Sequence, residues 1–572
     1  MECIKYCPRV RMGDETIQLD EKGKPIIIEE LCAGCGICVH KCPFDAIRIV
    51  NLAEELTHDL VHQFGQNGFR LYRLPVPRKG SVTGILGENG IGKTTAISIL
   101  TNNLIPNFGK WEKELERNKV IDQFSGTELK DYFEKLYSGK IRTALKPQYV
   151  DKIPRVNKGS AMELLLKIAG AEKIKSIASQ FDFTTEHLNR DIATFSGGEL
   201  QRLAIMGTML KDADAYFFDE PSSYLDIYQR IKMAGLIKDL ANERIVVVVE
   251  HDLAILDYLA ENVHLMYGTE GAYGVVVPPK VVRNAINTYL EGYLKEENIR
   301  VREYPIEFFS HPPQEGVTRE EVLVFEPLKK RYAGFTLCTM GGRIMKGEVI
   351  GMLGANATGK TTFVKMLAGV EKPDEGVITR NVKVSYKPQY INPEKDYTVR
   401  QIFAEKLKDI MFTNFYKEEI EHPLKISSLY DKNLEELSGG ELQRVAIALC
   451  IAQPADLYLL DEPSAYLDSN QRMIAAKTIK RVIEKMGMTG MVVDHDIYFI
   501  DLVADRLIVF DGVPGVSGET SEILSMHDGM NTFLKRVNIT FRRDENTKRP
   551  RVNKPGSAKD REQKDAGEYY YE

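Results

Sequence analysis

The sequence predicts an α/β chain in which one fold is used twice, preceded by a small, cysteine-rich α+β head. Three observations predict it. A glycine-rich G-x4-G-K-[ST] loop occurs at Gly87–Thr94 and again at Gly354–Thr361, each time between an apolar β-type run (Val82–Leu86, Val349–Leu353) and a helix-like segment. An apolar run ending in Asp-Glu also recurs, as Ala215–Phe218 before Asp219 and Glu220 and as Leu457–Leu460 before Asp461 and Glu462. Six of the eight cysteines fall within the first 42 of 572 residues.

A chain of 572 residues exceeds what one hydrophobic core supports, and at about 100–200 residues per domain it predicts three or four. A hydrophobic fraction of 43% and a charged fraction of 28% are those of folded protein, not of a disordered chain. There is no apolar run of about 18 residues, and Met1-Glu2-Cys3-Ile4-Lys5 carries no apolar signal region. No membrane contact and no secretory route are therefore expected, and the expected location is cytoplasmic. A net charge of −6 excludes a uniformly basic surface. Locally, Lys535–Arg561 holds ten Lys or Arg against three acids, a balance of +7, which reads either as a solvated tail or as a phosphate-binding surface.

The loops and carboxylates define a chemistry. Gly87, Asn89, Gly90, Gly92, Lys93, Thr94 and Thr95 form one phosphate cradle, and Gly354, Asn356, Gly359, Lys360, Thr361 and Thr362 a second. Backbone N–H groups at a helix start face the phosphates of ATP, the lysine reaches the β- and γ-phosphates, and the first threonine hydroxyl binds Mg²⁺. Each Asp-Glu pair sits at the end of a buried strand, where Asp219 and Asp461 would hold the metal and Glu220 and Glu462 would polarise the attacking water. A solvated acidic turn fits poorly after such apolar strands.

Ser196-Gly197-Gly198-Glu199-Leu200-Gln201 and Ser438-Gly439-Gly440-Glu441-Leu442-Gln443, taken with Lys93 and Lys360, resemble the LSGGQ-like signature of ABC ATPases. Gln148 and Gln389, each within Lys-Pro-Gln-Tyr, match that superfamily's Q-loop, and Ser223–Asp226 and Ala465–Asp468 its D-loop. His251 and His495, each after an apolar strand and an acid, match its switch histidine. The resemblance implies two ABC-type P-loop nucleotide-binding domains in head-to-tail arrangement. Lys93, Asp219, Glu220 and His251 then work with Ser438, Gly440 and Glu441, and Lys360, Asp461, Glu462 and His495 with Ser196, Gly198 and Glu199. It places Mg²⁺ on Thr94, Gln148 and Asp219 in one site and on Thr361, Gln389 and Asp461 in the other. ATP acts as a clamp that hydrolysis releases.

The halves differ in spacing. Lys93 and Gln148 are 55 residues apart, against 29 for Lys360 and Gln389, whereas the glutamine-to-serine intervals agree at 48 and 49. The first half therefore carries about 26 extra residues, at about 120–146, where Ser125-Gly126-Thr127 followed by Glu128–Tyr137 predicts a capped amphipathic helix of a helix–loop–helix insertion. It is either a docking device or a neutral decoration. Ala357 stands where the first loop has Gly90, which predicts unequal sites. Phe64, Phe69, Tyr332 and Phe335 all qualify as the adenine platform.

Cys32-Ala-Gly-Cys35-Gly-Ile-Cys38-Val-His-Lys-Cys42-Pro43 resembles the bacterial-ferredoxin run C-x2-C-x2-C-x3-C-P, with Gly34 and Gly36 giving the backbone close approach to the sulfides. The resemblance implies a ferredoxin-like α+β iron–sulfur domain in which Cys32, Cys35 and Cys38 with Cys7 hold one [4Fe–4S] centre. A second would use Cys3, Cys42 and two further ligands, which the chain starts too late to contain; truncation or a single cluster are the alternatives. A zinc site is disfavoured because the four ligands are spaced too tightly. Cys338 and Cys450 read as ordinary buried thiols.

A ferredoxin-like module fused to two cassettes resembles the ABC subfamily E ribosome-recycling factors, also called the RNase L inhibitor family. The resemblance covers nearly the whole chain, including the insertion, a charged hinge at Tyr293–Arg302 and the terminal Phe541–Lys554. The expected organisation is an iron–sulfur domain at 1–52, cassettes at 53–290 and 319–534, a hinge at 291–318 and a basic C-terminal hinge and tail at 535–572. The resemblance implies that ATP-driven closure moves the iron–sulfur domain and splits the ribosome after termination or stalling. It implies as partners the small subunit with its rRNA, and a release factor or its Pelota-like paralogue, with initiation factors as further candidates. The rivals are an ATP-coupled iron–sulfur redox protein, a binding module regulated by nucleotide, and a soluble ABC ATPase of the DNA-repair type.

Overall fold

The computed structural model of the chain describes residues 2–19, 23–28, 31, 32, 35–42, 47, 51–113, 115–302, 305–308, 320–379, 382–389 and 397–570. Gly34 and Pro43 of the cysteine run, Tyr390 of the second Lys-Pro-Gln-Tyr, and 303, 304 and 309–318 of the expected hinge lie outside them. The chain divides into two compact units, Met1–Glu54 with Glu291–Pro305, and Glu55–Leu290 with Ile306–Glu572.

In the larger unit the same nine-stranded sheet is built twice among the described residues, and the second cassette adds a three-stranded sheet. In the first, Asn262–Thr269, Val82–Leu86, Ile245–Val249, Ala215–Asp219 and Thr143–Lys146 run parallel in that order. In the second, Arg506–Asp511, Val349–Leu353, Thr489–Val493, Leu457–Asp461 and Val384–Lys387 repeat it. Parallel strands are covered on both faces and so require unbroken apolar runs, and Val82–Leu86, Ala215–Asp219, Val349–Leu353 and Leu457–Asp461 are buried at every residue. Their carboxyl ends lie level, with Asp219 beside Val249 and Asp461 beside Val493, which is where open parallel sheets bind ligands.

Each central strand turns into its helix through a left-handed glycine. Gly92 (φ 89°) caps Lys93–Leu100 and Gly359 (φ 95°) caps Lys360–Ala368. A Cβ on Gly92 would lie 2.6 Å from the Phe69 ring, so the turn is closed to side chains by packing as well as by φ. Ala357 adopts φ 58°, matching Gly90 at φ 73°, so the second loop keeps the frame of the first at a strain of about 1 kcal/mol.

The insertion folds as Arg117–Gln123 and Glu128–Tyr137. Leu129, Tyr132, Phe133 and Leu136 turn into the core of the first cassette, and Tyr132 donates to the Leu100 carbonyl at 2.6 Å. The amphipathic helix is present, but its expected side-chain cap is not: Thr127 occupies the N-cap position and donates its hydroxyl backward to Phe124 O at 2.7 Å.

At Arg543, Arg549 and Arg551 the basic C-terminal segment is folded against the cassettes, whereas Arg536 and Arg561 are exposed. Phe541–Arg543 and Pro550–Val552 pair as a hairpin, followed by a helix at Ala558–Ala566. Arg543 forks onto Asp501 at 2.7 and 2.9 Å. Arg549, with 0% exposure, bonds Asp257 at 2.9 Å, Asn287 at 2.9 Å and the Tyr498 hydroxyl at 2.5 Å, while Arg551 reaches Asp257 at 3.1 Å. Asp257 belongs to the first cassette and Tyr498 and Asp501 to the second, so one hairpin fastens both.

The smaller unit holds helices Glu2–Tyr6, Pro8–Arg11 and Ile37–Lys41 and the hairpin Ile17–Leu19 with Pro25–Ile27. Tyr293–Leu294 and Ile299–Arg300 pair antiparallel, and the latter runs parallel to Asn51–Leu52. Over these residues the stretch read as a charged hinge is thus part of a three-stranded sheet. No helix among the described residues is long and apolar enough to cross a membrane.

Because Arg549 is a buried cation shared by both cassettes, Arg549→Met is expected to cost about 3 kcal/mol of docking stability for the C-terminal hairpin. Amide hydrogen exchange over residues 541–552, compared with wild type, measures it.

Candidate functional site

The Asp-Glu pairs end their strands in a strained turn. Glu220 and Glu462 have φ of 49° and 47°, a left-handed conformation that costs a bulky residue about 1–3 kcal/mol and persists only when neighbours over-determine it. Those neighbours are the same in both halves. The Glu220 amide donates to Val249 O (2.9 Å), Gln201 Nε2 donates to Glu220 O (2.8 Å), and Lys146 Nζ donates to the carbonyls of Asp219 and Glu220 (2.9 and 3.2 Å). In the second half Val493, Gln443 and Lys387 do the same for Glu462. The carboxylates are then aimed. Gln148 Nε2 donates to Glu220 Oε1 at 2.6 Å and Gln389 Nε2 to Glu462 Oε1 at 2.8 Å, with His251 and His495 Nε2 each 3.5 Å away.

Burial separates the two carboxylates of each pair. Desolvation, with the adjacent glutamate charge, pushes Asp219 up to about 6. Desolvation likewise pushes Asp461 up to about 6. For Glu220 and Glu462 desolvation is outweighed by the histidine and the P-loop lysine, so Glu220 lies well below the usual carboxylate range and Glu462 at about 2. Burial also lowers Lys93, and takes Lys360, Lys146 and Lys387 to about 8. A divalent cation suits this arrangement. Both carboxylate oxygens of Asp461 are buried with no hydrogen-bond partner among the described residues, and Thr94 Oγ1 lies 3.0 Å from Asp219.

The two cassettes complete one another. Asp468 Oδ1 caps its own helix at Gln471 N (2.8 Å), while its Oδ2 accepts from the amide of Asn89 in the opposite P-loop (3.1 Å). Asp226 mirrors this with Gln229 N (2.9 Å) and Asn356 N (2.9 Å). A cavity of about 1170 Å³ runs through the interface. The sequence-predicted nucleotide, metal and catalytic residues of both halves line it, except Gly87, Gly354 and Asp461, which are buried behind it. Phe64, Phe69, Tyr332 and Phe335 line it too. Ser196 and Ser438 start the signature helices, and Glu199 and Glu441 close capping boxes onto them while pairing with Arg190 (3.0 Å) and Lys432 (2.7 Å). Lys146, Lys387, Gln201 and Gln443 carry no role predicted from the sequence, although each stands within a repeated motif; repetition of a residue in both halves was the available signal.

In the head, Cys3 and Cys7 are buried beside Ile17, and Cys38 packs against them. Burial raises the Cys38 thiol, with a further contribution from Cys32 and Cys35, which places those sulfurs near it. None of the six cysteines forms a disulfide. Among the described residues no three candidate ligands close into a metal cage, although Cys3, Cys7 and Cys38 share one small core. Gly36 enters the helix at φ 70°. Outside the head, Cys450 is buried as expected, but Cys338, the last residue of the strand Phe335–Cys338, is exposed.

Comparison with known proteins agrees with this organisation. The ABC transporter family matches residues 77–223 and 338–465, and the 4Fe-4S binding domain family matches 25–48. ABC transporter E family member 1 of Arabidopsis thaliana is 45% identical, covering 100% of this chain and 96% of its own length. The chain belongs to the ABC transporter E family. An uncharacterized ABC transporter ATP-binding protein of Methanocaldococcus jannaschii is 52% identical over 100% of this chain and 95% of its own. Among solved structures, an archaeal ribosome recycling factor, aABCE1, in complex with ribosomal stalk protein aP1 is 50% identical with a TM-score of 0.87, covering 91% of this chain and 100% of that one. ABCE1 in a model of ribosome-bound archaeal Pelota and ABCE1 is 52% identical with a TM-score of 0.85, covering 100% and 96%. As a member of the E family the chain is an ATP hydrolase with a 4Fe–4S binding head.

Lys146 holds the Glu220 turn and does not itself line the cavity. Lys146→Met takes a donor from the Asp219 and Glu220 carbonyls, of which Glu220 keeps Gln201, at a cost of about 1–3 kcal/mol, and is expected to lower kcat for ATP while KM stays near wild type. Steady-state ATPase kinetics check it.

Proposed function

We propose that this protein splits ribosomes into subunits by ATP-dependent closure of its cassettes, acting in the cytoplasm with a release factor or a Pelota-like partner. The observation that carries this reading is similarity along the whole chain, head included, to proteins described as a ribosome recycling factor and as bound to the ribosome with Pelota. The paired P-loop and D-loop contacts supply a physical basis for the clamp.

In this reading each γ-phosphate is held from both sides, by Lys93 with Ser438 and Gly440 and by Lys360 with Ser196 and Gly198. Its loss on hydrolysis removes the bridge. Glu220 and Glu462, ionised at neutral pH, accept the hydrogen bond of the attacking water, and Gln148 and Gln389 fix the oxygen that receives it. His251 and His495 face the γ-phosphate. Thr94, Gln148 and Asp219, and Thr361, Gln389 and Asp461, would hold Mg²⁺, which neutralises phosphate charge. Cys7, Cys32, Cys35 and Cys38 would hold one [4Fe–4S] cluster, with Cys3 and Cys42 directed to a second.

The test is sucrose-gradient sedimentation of post-termination ribosomes with anaerobically purified protein, its release factor and ATP. Free subunits are expected with wild type, and intact ribosomes carrying bound protein with Glu220→Gln/Glu462→Gln, whose turnover should fall by about 10²–10⁴. Intact ribosomes with no comigrating wild-type protein would sink the assignment.

A further inference from the structure

The two composite sites share their D-loop aspartate contacts but differ at the residues that follow those aspartates. The residue after the D-loop aspartate is Ser469 in the second cassette and Ile227 in the first. Ser469 is fully buried and reaches across the interface: its hydroxyl donates to His251 O at 2.7 Å, and its oxygen faces His251 Nδ1 at 3.4 Å. With its one proton given to the carbonyl, Oγ is left as an acceptor for Nδ1–H. That pins one edge of the imidazole and leaves the other, Nε2, facing Glu220 at 3.5 Å.

The His495 ring has no such support. Arg230 of the first cassette reaches the His495 carbonyl at 3.5 Å, but Ile227 offers no acceptor, and His495 Nδ1, unlike His251 Nδ1, has no hydrogen-bond partner among the described residues, while Nε2 is unbonded in both. The next position repeats the contrast. Asn470 donates to Glu88 of the first P-loop at 2.7 Å, whereas the equivalent pair, Tyr228 and Ala355, cannot make that bond. Tyr228 instead packs edge-on against Phe533, with ring centroids 5.7 Å apart.

We propose that Ser469 is a positioning residue for the first composite site, holding His251 in its working orientation from the opposite cassette, and that among the described residues the second site has no counterpart acting on the His495 ring. The two sites therefore differ in how far their histidines are pre-organised before nucleotide arrives. The inference rests on the reading of His251 as the γ-phosphate contact.

Rapid-quench, single-turnover cleavage of ATP by the full-length chain tests it. The Glu462→Gln parent reads the first site and the Glu220→Gln parent the second. Ser469→Ala is expected to lower the plateau rate about three- to tenfold in the Glu462→Gln parent with half-saturating ATP unchanged. It should leave the Glu220→Gln parent unaffected, which also reports an intact fold and interface. Added to His251→Ala, it should cause no further loss. Equal loss in both parents, a loss additive to His251→Ala, an unchanged plateau, or no cleavage by the Glu462→Gln parent would each overturn it. An undiminished rate for His251→Ala alone would instead strike down the histidine assignment, so the two failures are distinguishable.

Discussion

Two carboxylates, Asp226 and Asp468, hold the arrangement together. Each spends one oxygen on the first turn of its own helix and the other on a backbone amide of the opposing P-loop. A group that serves as helix cap and as cross-interface acceptor cannot shift without disturbing both. The position of one cassette's long helix is thereby tied to the shape of the other's phosphate cradle. Because a side chain meets main chain in this contact, it tolerates the differences between Gly87–Thr94 and Gly354–Thr361. Both halves keep it even though Glu88 and Gly90 are replaced by Ala355 and Ala357.

Behind that bridge lies the strained glutamate turn. A carboxyl group at φ near 50° is not where an unconstrained chain would leave it, and three separate donors and acceptors in each half keep it there. The buried lysines offer a cation to carbonyl oxygens, so their positive charge also lies beside the Asp-Glu pair it helps to shape. Aspartates raised by desolvation next to glutamates lowered by histidine and lysine give each site one group suited to a metal and one suited to a water.

Much of this was legible in the sequence, because phosphate chemistry demands short contiguous motifs and the chain writes each of them twice. Strands such as Ala215–Asp219 were readable because parallel sheets need unbroken apolar runs. Long-range pairing was not readable. Counting charge from Lys535 to Arg561 predicted a free basic segment, since nothing local indicates that Arg549 will be taken by Asp257, nearly three hundred residues earlier. Tyr293–Arg302 looked like a linker because two-residue strands carry no periodicity. Thr127 stands at the start of its helix, but its hydroxyl turns back to donate to Phe124 O and accepts from no amide of the helix. Ser469 stood beside a recognised motif, yet its value lies in a contact with the other half that only the assembled interface reveals.

The hairpin at Phe541–Val552 gives the chain an order of completion. Domains fold roughly as they are made, from the N-terminus onward. The helices bearing Asp257 and Asp501 are therefore synthesised and packed while the arginines that Asp257 and Asp501 will hold do not yet exist. The cassettes can meet through their P-loops and D-loops beforehand, but the outer fastening at Arg543, Arg549 and Arg551 waits for a hairpin made after both of them. A chain abandoned by its ribosome upstream of that hairpin would contain every motif for ATP and still lack the clasp that makes its two halves one machine.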